Sequence, residues 1–239
     1  YHNQKTFNKE YSALFAVSSI EVLIKYYDIF KQKKEAGEHN LRIATIFSYG
    51  ANEEDKDAQD QLPDYELDMA AEPGSKYATS HTRDKLEEYI SDYNTLYGTN
   101  FSTKDSQQFE NYFKDISKRL KDREKVTFND AKDRLDLVIV VNMMLTGFDA
   151  KKVNTLYVDK NLRHHGLIQA FSRTNRVLGE KKSQGNILCF RNLKKATDEA
   201  ITLFSNKEAK EDIIQPPYQA IVKKFDEALE NLPQIAPTY

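Results

Sequence analysis

Cysteine and long apolar segments are both scarce in this sequence, and each shortage excludes a class of protein. Cys189 is the one cysteine among 239 residues, so a disulfide framework is excluded and a reducing, cytoplasmic location is expected. A single cysteine with five scattered histidines also argues against a structural zinc site. No unbroken apolar run exceeds that from Leu137 to Val141, so no membrane segment is expected, and no secretory signal opens the chain. Because the first residue is Tyr1 rather than methionine, we expect a fragment of a longer protein.

The formal net charge of -2 conceals a strong asymmetry along the chain. Nine acidic residues and one basic residue, Lys56, lie between Ala51 and Glu72. This stretch contains prolines and has no sustained periodicity, so residues 50–78 are interpreted as an acidic surface insertion. Eleven basic residues lie between Lys151 and Lys195. Each run can be an ordinary solvated face, or the basic run can form a surface for the phosphates of a nucleotide or nucleic acid.

Apolar, β-branched segments alternate with helical patterns, which is typical of an α/β domain with a largely parallel sheet flanked by helices. Five buried strands are predicted at residues 12–17, 42–47, 135–141, 155–158 and 186–190. Helices are predicted at residues 19–34, within 86–97 and 109–120, and from about Gly166. Two C-terminal helices are predicted at residues 193–204 and 218–232, followed by a proline-containing tail.

A short polar loop follows the third predicted strand and contains Thr146, Gly147 and Asp149. The carboxyl ends of strands are where parallel sheets bind ligands, so this position favours a functional loop. Thr146 could donate to a phosphate, Asp149 could accept from a sugar hydroxyl, and Gly147 permits close approach. A turn whose aspartate caps the next segment remains an alternative explanation.

The helix predicted from about Gly166 carries a second polar cluster. At roughly 100° per residue, Gln169, Arg173 and Arg176 fall on one face, opposite an apolar face that includes Leu167 and Phe171. Two guanidiniums facing the same way favour an anion-binding site. Two surface arginines paired with carboxylates remain the alternative.

These two clusters resemble motifs of superfamily 2 helicases and translocases. Residues 146–149 (TGFD) resemble motif V, residues 169–176 (Q-x-x-x-R-x-x-R) resemble motif VI, and residues 15–19 (FAVSS) resemble motif IV. The longer run through residues 140–150, 156–160, 167–176 and 185–187 is similar to the motor of type I restriction enzyme R (restriction) subunits. The resemblance covers most of the chain from Ser12 to about Phe204.

The resemblance implies a second RecA-like motor domain at residues 1–192, followed at 193–239 by helices leading into a C-terminal helical region. It implies ATP and Mg²⁺, held mainly by a first RecA-like domain, as cofactors. It also implies double-stranded DNA and the methylase and specificity subunits of the complex as partners. The site residues it implies are Arg173 and Arg176 as catalytic arginine fingers, Gly147, Asp149 and Gln169 as nucleotide-binding residues, and Ser18 and Thr146 as DNA-backbone contacts.

The sequence departs from a complete motor in what it lacks. It contains no G-x-x-x-x-G-K-[ST] loop and no Asp-Glu pair after an apolar strand, so this chain alone is expected to hydrolyse no ATP. Ala170 also stands where many DEAD-box relatives carry an arginine. No nuclease or metal site is expected at Glu54-Asp55-Lys56 or at His164-His165, and Cys189 is predicted to lie in the core. A RecA-like module that binds nucleic acid without its own ATP turnover is the alternative function.

Overall fold

The computed structural model describes residues 1–47, 76–123, 131–178, 182–204 and 218–235. Its five strands are β1 (Ser12–Val17), β2 (Ile43–Ile46), β3 (Leu137–Val140), β4 (Val153–Asp159) and β5 (Asn186–Cys189). Its helices are α1 (His2–Lys5), α2 (Ile20–Glu35), α3 (Lys76–Tyr97), α4 (Ser106–Lys121), α5 (His164–Ser172), α6 (Lys194–Phe204) and α7 (Tyr218–Ile235), with a 3-10 turn at Ala131–Asp133.

All five strands are parallel and lie in the order β2-β3-β1-β4-β5. The three inner strands (SALFAV, LVIV and VNTLYVD) are buried on both faces except at Asp159, the last residue of β4, as expected of a sheet covered on both sides. The predicted α/β fold, with flanking and C-terminal helices, is therefore confirmed. Because β3 and β4 both neighbour β1, the segments that follow these three strands leave the sheet side by side at its carboxyl edge.

The fifth strand differs from its prediction as a buried strand. Side chains along β5 alternate between half-buried and exposed, and Cys189 is exposed, so its assignment to the core is wrong. The physical reason is position: β5 is an edge strand, and one of its faces is left uncovered. A run of four or five apolar residues is equally compatible with full or half burial, so its letters alone could not decide this.

Helices α2, α3 and α4 form an aromatic layer against the sheet. The Tyr27 ring on α2 lies 4.0 Å from the Tyr89 ring on α3, measured between centroids. On α4 the buried Tyr112 hydroxyl donates to the Thr45 carbonyl of β2 over 2.7 Å. Ser19 caps α2 by accepting from the Val22 amide, which starts the helix directly after β1.

Two other predictions concern the irregular parts of the chain. Most of the predicted acidic insertion lies outside the described residues, and α3 begins at Lys76, inside the predicted end of that insertion. The last helix was predicted to end at residue 232, but it runs to Ile235 through Pro233, which occupies its final turn. In the part of the chain that the structure describes, every helix falls short of what crossing a membrane requires.

Candidate functional site

A buried lysine connects the segments that follow β3 and β4 across the carboxyl end of β1. Lys160, directly after β4, is 4% exposed. Its ammonium donates to the Val141 carbonyl over 3.2 Å and to the Asn142 side chain. These acceptors follow β3, on the other side of β1, so Lys160 ties together the two segments that carry the predicted site residues.

The loop after β3 presents its polar residues to solvent. Phe148 and Ala150 are buried, whereas Thr146, Gly147 and Asp149 between and beside them are exposed. Gly147 has φ +64, and a Cβ built there would meet nothing within 4 Å. The positive φ therefore explains why residue 147 is a glycine, and crowding from the rest of the protein does not. Met144 also has a positive φ of 66, a strained conformation for a buried non-glycine residue.

Helix α5 is shorter at its C-terminus than predicted, which corrects the placement of one arginine. It spans His164–Ser172, two residues earlier at its start than Gly166, and Arg173 is its C-cap. The backbone amides of Arg173, Thr174 and Asn175 each bond to the carbonyl three residues back, which tightens the last turn. Arg176 therefore lies beyond the helix, and the single helical face proposed for Gln169, Arg173 and Arg176 is wrong.

Both arginines nevertheless meet the loop after β3. Arg173 donates from Nη1 to the Phe148 carbonyl and from Nε to the Gln169 carbonyl over 2.9 Å. Arg176 Nε lies 3.0 Å from Asp149 Oδ1, and the two side chains are 60% and 54% exposed. Tertiary contact thus brings together Gln169, Arg173, Arg176 and Asp149, although one helical face does not.

The remaining predicted residues lie at the same edge of the sheet. Gln169 is half-buried, and its side-chain nitrogen lies 2.6 Å from His165 Nε2. Ser18 directly follows β1 and is half-buried, while the neighbouring Ser19 caps α2. Thr146 is exposed in the loop after β3.

The basic run between Lys151 and Lys195 is largely occupied by internal contacts. Lys152 pairs with Glu10, and Arg191 pairs with Asp159, which also accepts from the Tyr26 hydroxyl. Lys160 and Lys182 are buried and cannot add to an exposed phosphate-binding surface, which remains a prediction for the exposed members of the run. Eight of its eleven basic side chains contact other groups of this chain: Lys152, Lys160, Arg173, Arg176, Lys182, Arg191, Lys194 and Lys195.

Lys182 is a residue that the sequence patterns did not single out. It is 2% exposed, and its ammonium donates to the carbonyls of Lys151 over 2.8 Å and Val153 over 2.9 Å. Burial lowers the pKa of Lys182 to about 8, with a further lowering by Lys152 and an opposing effect of Asp149. Lys182 follows Lys181 and precedes Ser183 in a polar stretch, and such a pattern gives no sequence signal for its burial.

The donors at this edge suit a phosphate better than a metal ion. Guanidinium groups donate in a planar fork that matches phosphate oxygens. Within the described ranges, no three His, Cys, Asp or Glu side chains converge in a way that could hold a metal. The site can therefore contribute positive charge to an anionic ligand.

Comparison with known proteins identifies the family. Residues 9–192 match the family described as type I restriction enzyme subunit R domain 3. A type I restriction enzyme endonuclease subunit of Staphylococcus aureus strain COL is 44% identical over 238 residues, which are 99% of this chain and 23% of that protein. Another from Staphylococcus saprophyticus is 46% identical over 235 residues, 98% of this chain and 22% of that protein. The HindI endonuclease subunit of Haemophilus influenzae is 37% identical over 116 residues, 48% of this chain and 11% of that protein. The chain spans about 23% of the length of the first of these relatives, and its match over residues 9–192 shows that it belongs to the type I restriction enzyme R subunit family, in the region called domain 3.

Proposed function

We propose that this domain is the second RecA-like domain of the motor in a type I restriction enzyme R subunit, and that it serves ATP-driven translocation along double-stranded DNA. In this proposal a first RecA-like domain holds ATP and Mg²⁺, and the methylase and specificity subunits complete the complex. The observation that carries the proposal is the pair of contacts from Arg173 to Phe148 and from Arg176 to Asp149. They join the motif V loop to the motif VI segment at the exposed carboxyl edge of the sheet.

Both arginines keep N–H groups that can still donate hydrogen bonds to a triphosphate. Arg176 uses only Nε in its pair with Asp149 and is 60% exposed, so both of its terminal nitrogens can face a ligand. Arg173 is half-buried, and its three nitrogens contact Gln169, Phe148 and Ser172, which fixes the guanidinium in place. Each terminal nitrogen of Arg173 retains a second hydrogen to donate.

The proposed chemistry divides between the two domains. ATP bound by the first domain supplies the phosphoanhydride bond whose hydrolysis drives movement. Arg176 and Arg173 donate hydrogen bonds to the oxygens of the terminal phosphate and stabilise the negative charge that develops there. Asp149 holds Arg176 in place. Arginine fingers of this kind increase hydrolysis by about 10³ to 10⁵. Gly147 and Gln169 shape the nucleotide side of the same edge.

In this proposal Ser18 and Thr146 contact the DNA backbone. Both follow strands at the carboxyl edge, and a hydroxyl can donate to a backbone phosphate oxygen. Backbone contacts carry no base sequence, which suits an enzyme that moves along any DNA. The recognition of a particular site then belongs to the specificity subunit.

The test is to replace Arg173 and Arg176 separately by alanine in the full subunit, assembled with its partner subunits. We expect DNA-stimulated ATP turnover and translocation to fall by at least about 10³ in each variant. DNA affinity and melting temperature should remain near those of the wild type. Arg83→Ala is the matched control, because Arg83 is an exposed arginine on α3 that donates to the Thr103 carbonyl over 2.8 Å.

Two results would contradict the proposal. Near-normal turnover in both alanine variants would favour a nucleic-acid-binding module without ATP turnover. ATP hydrolysis by the isolated chain that disappears in Arg173→Ala would contradict the assignment of the phosphate loop and Mg²⁺ to another domain.

A further inference from the structure

We propose that residues 182–185, named the brace here, act as a positioning segment that holds the Asp149 loop and the Arg173–Arg176 segment against each other. The inference deepens the proposed function and rests on it, because the two segments it joins carry the proposed arginine fingers and their carboxylate. Lys182 and Gly185, at the two ends of the brace, make the contacts that matter.

Lys182 contacts both segments at once. Its ammonium binds the carbonyls of Lys151 and Val153, which lie two and four residues after Asp149. Its own carbonyl accepts from the Leu178 amide over 2.9 Å, two residues after Arg176. One buried residue therefore fixes the chain just beyond each member of the Asp149–Arg176 pair.

Gly185 packs against the chain between the two arginines. A Cβ at this position would lie 2.3 Å from Thr174 Oγ1 and 2.7 Å from both Thr174 Cβ and the Thr174 carbonyl oxygen. Thr174 is 1% exposed and follows Arg173 directly. The absence of a side chain at residue 185 lets the brace approach closely enough to hold Thr174, and with it the turn that directs Arg173 and Arg176.

The chemistry of Lys182 agrees with a positioning role. A fully buried ammonium is costly unless its hydrogens are accepted, and here two backbone carbonyls accept them. The charged groups that bear on it are Lys152, which lies in the segment it binds, and Asp149. An apolar side chain of similar length would fill the space but leave both carbonyls without their donor, so the loop would lose its fixed position.

The test compares Lys182→Met with Arg176→Ala and with Tyr112→Phe in the full subunit, assembled with its partner subunits. Tyr112→Phe is the matched control, because it also removes a donor from a buried backbone carbonyl, that of Thr45 on β2. We expect kcat for ATP hydrolysis to fall about 10²-fold in Lys182→Met, the scale that a 1 Å misplacement costs. KM for ATP should stay within about twofold, because another domain holds most of the nucleotide. Tyr112→Phe should lower the melting temperature to a similar extent while leaving kcat near the wild-type value.

Each outcome separates the inference from the proposed function. Normal kcat in Lys182→Met together with collapse in Arg176→Ala overturns the brace and leaves the proposed function standing. Normal kcat in both overturns the proposed function. Equal losses of kcat in Lys182→Met and Tyr112→Phe show general destabilisation and overturn the brace. If Lys182→Met does not fold, Lys182→Gln, which keeps a shorter neutral donor, replaces it with the same expected direction.

Discussion

In the double variant Arg176→Asp/Asp149→Arg the ion pair is rebuilt with its charges exchanged, and we expect stability to recover while ATP turnover does not. The side chains of the natural pair are 60% and 54% exposed, with 3.0 Å between Arg176 Nε and Asp149 Oδ1. A pair this exposed contributes about 0.2–1 kcal/mol to the free energy of unfolding. For a domain of roughly this size, that corresponds to a fall of at most about 4 °C in melting temperature when the pair is lost.

The single variant Arg176→Asp should be the least stable of the series, because it sets a second carboxylate opposite Asp149. At about 4 Å in water the repulsion of two unit charges is about 1 kcal/mol. The exchanged pair should remove this repulsion and return the free energy of unfolding to within about 0.5 kcal/mol of the wild type. An ion pair with a purely structural role would recover turnover in parallel.

Turnover is expected to behave differently, because an arginine finger acts through its position and not through its pair. In the double variant the arginine is attached at residue 149, so its guanidinium lies in a different place from that of Arg176. We expect ATP hydrolysis to stay at least about 10³-fold below wild type in both the single and the double variant. The assays are steady-state ATP hydrolysis on DNA and thermal unfolding of the same preparations. Recovery of turnover to within about threefold of wild type in the double variant would refute the reasoning, since threefold is under about 1 kcal/mol of the barrier.

Three further predictions concern buried groups. Arg123→Met should destabilise the domain by about 3–5 kcal/mol in denaturant unfolding, because it removes the buried donor of three backbone carbonyls and leaves the 1%-exposed Asp136 with Lys9, 3.6 Å away, as its cation; a loss below about 1 kcal/mol would contradict this. The pKa of Lys182 is about 8 in the folded chain and 10.5 in the unfolded reference. Below about pH 8 the lysine is charged in both states, and burying that charge lowers the free energy of unfolding by its full amount. This loss of stability fades as the pH rises from about 8 toward 10.5. The stability of Lys182→Met relative to wild type should therefore fall over that window, and a rise would contradict the burial of a charged lysine. Gly185→Ala should cost about 1–3 kcal/mol and reduce turnover, because Thr174 must move to admit the Cβ at 2.3 Å; unfolding and ATP assays on this variant decide it.

Strands and helices could be predicted where one periodicity dominated. The apolar run at residues 12–17 has the bounds of β1, and the helix predicted at 19–34 corresponds to α2 at Ile20–Glu35. The strand predicted at 155–158 is too short at its start because Asn154 is polar. Its side chain is nevertheless fully buried, since it donates to the Lys5 carbonyl over 2.8 Å. A partner 149 residues away in sequence could not be read from the local pattern.

The candidate site was predicted as a set of residues but not as an arrangement. Asp149 and Arg176 were both named, yet their contact spans 27 residues and was not foreseen. The end of α5 was missed because apolar and polar residues keep helical spacing past Ser172. Just beyond the end of α5, Thr174 packs closely against Gly185, a contact that helical periodicity does not register.

The buried lysines explain why the charge count along the chain overstated the positive surface. Lys160 and Lys182 are each less than 5% exposed, and both bind backbone carbonyls that belong to segments beside the site. A buried lysine that donates to carbonyls inside the protein cannot contact a DNA phosphate and release its counterion. Such lysines therefore add nothing to the salt-dependent affinity for DNA. They act instead on geometry, because each joins the segment after β3 to a later part of the chain. If the proposed function holds, these buried cations fix the framework from which Arg173 and Arg176 reach the phosphate.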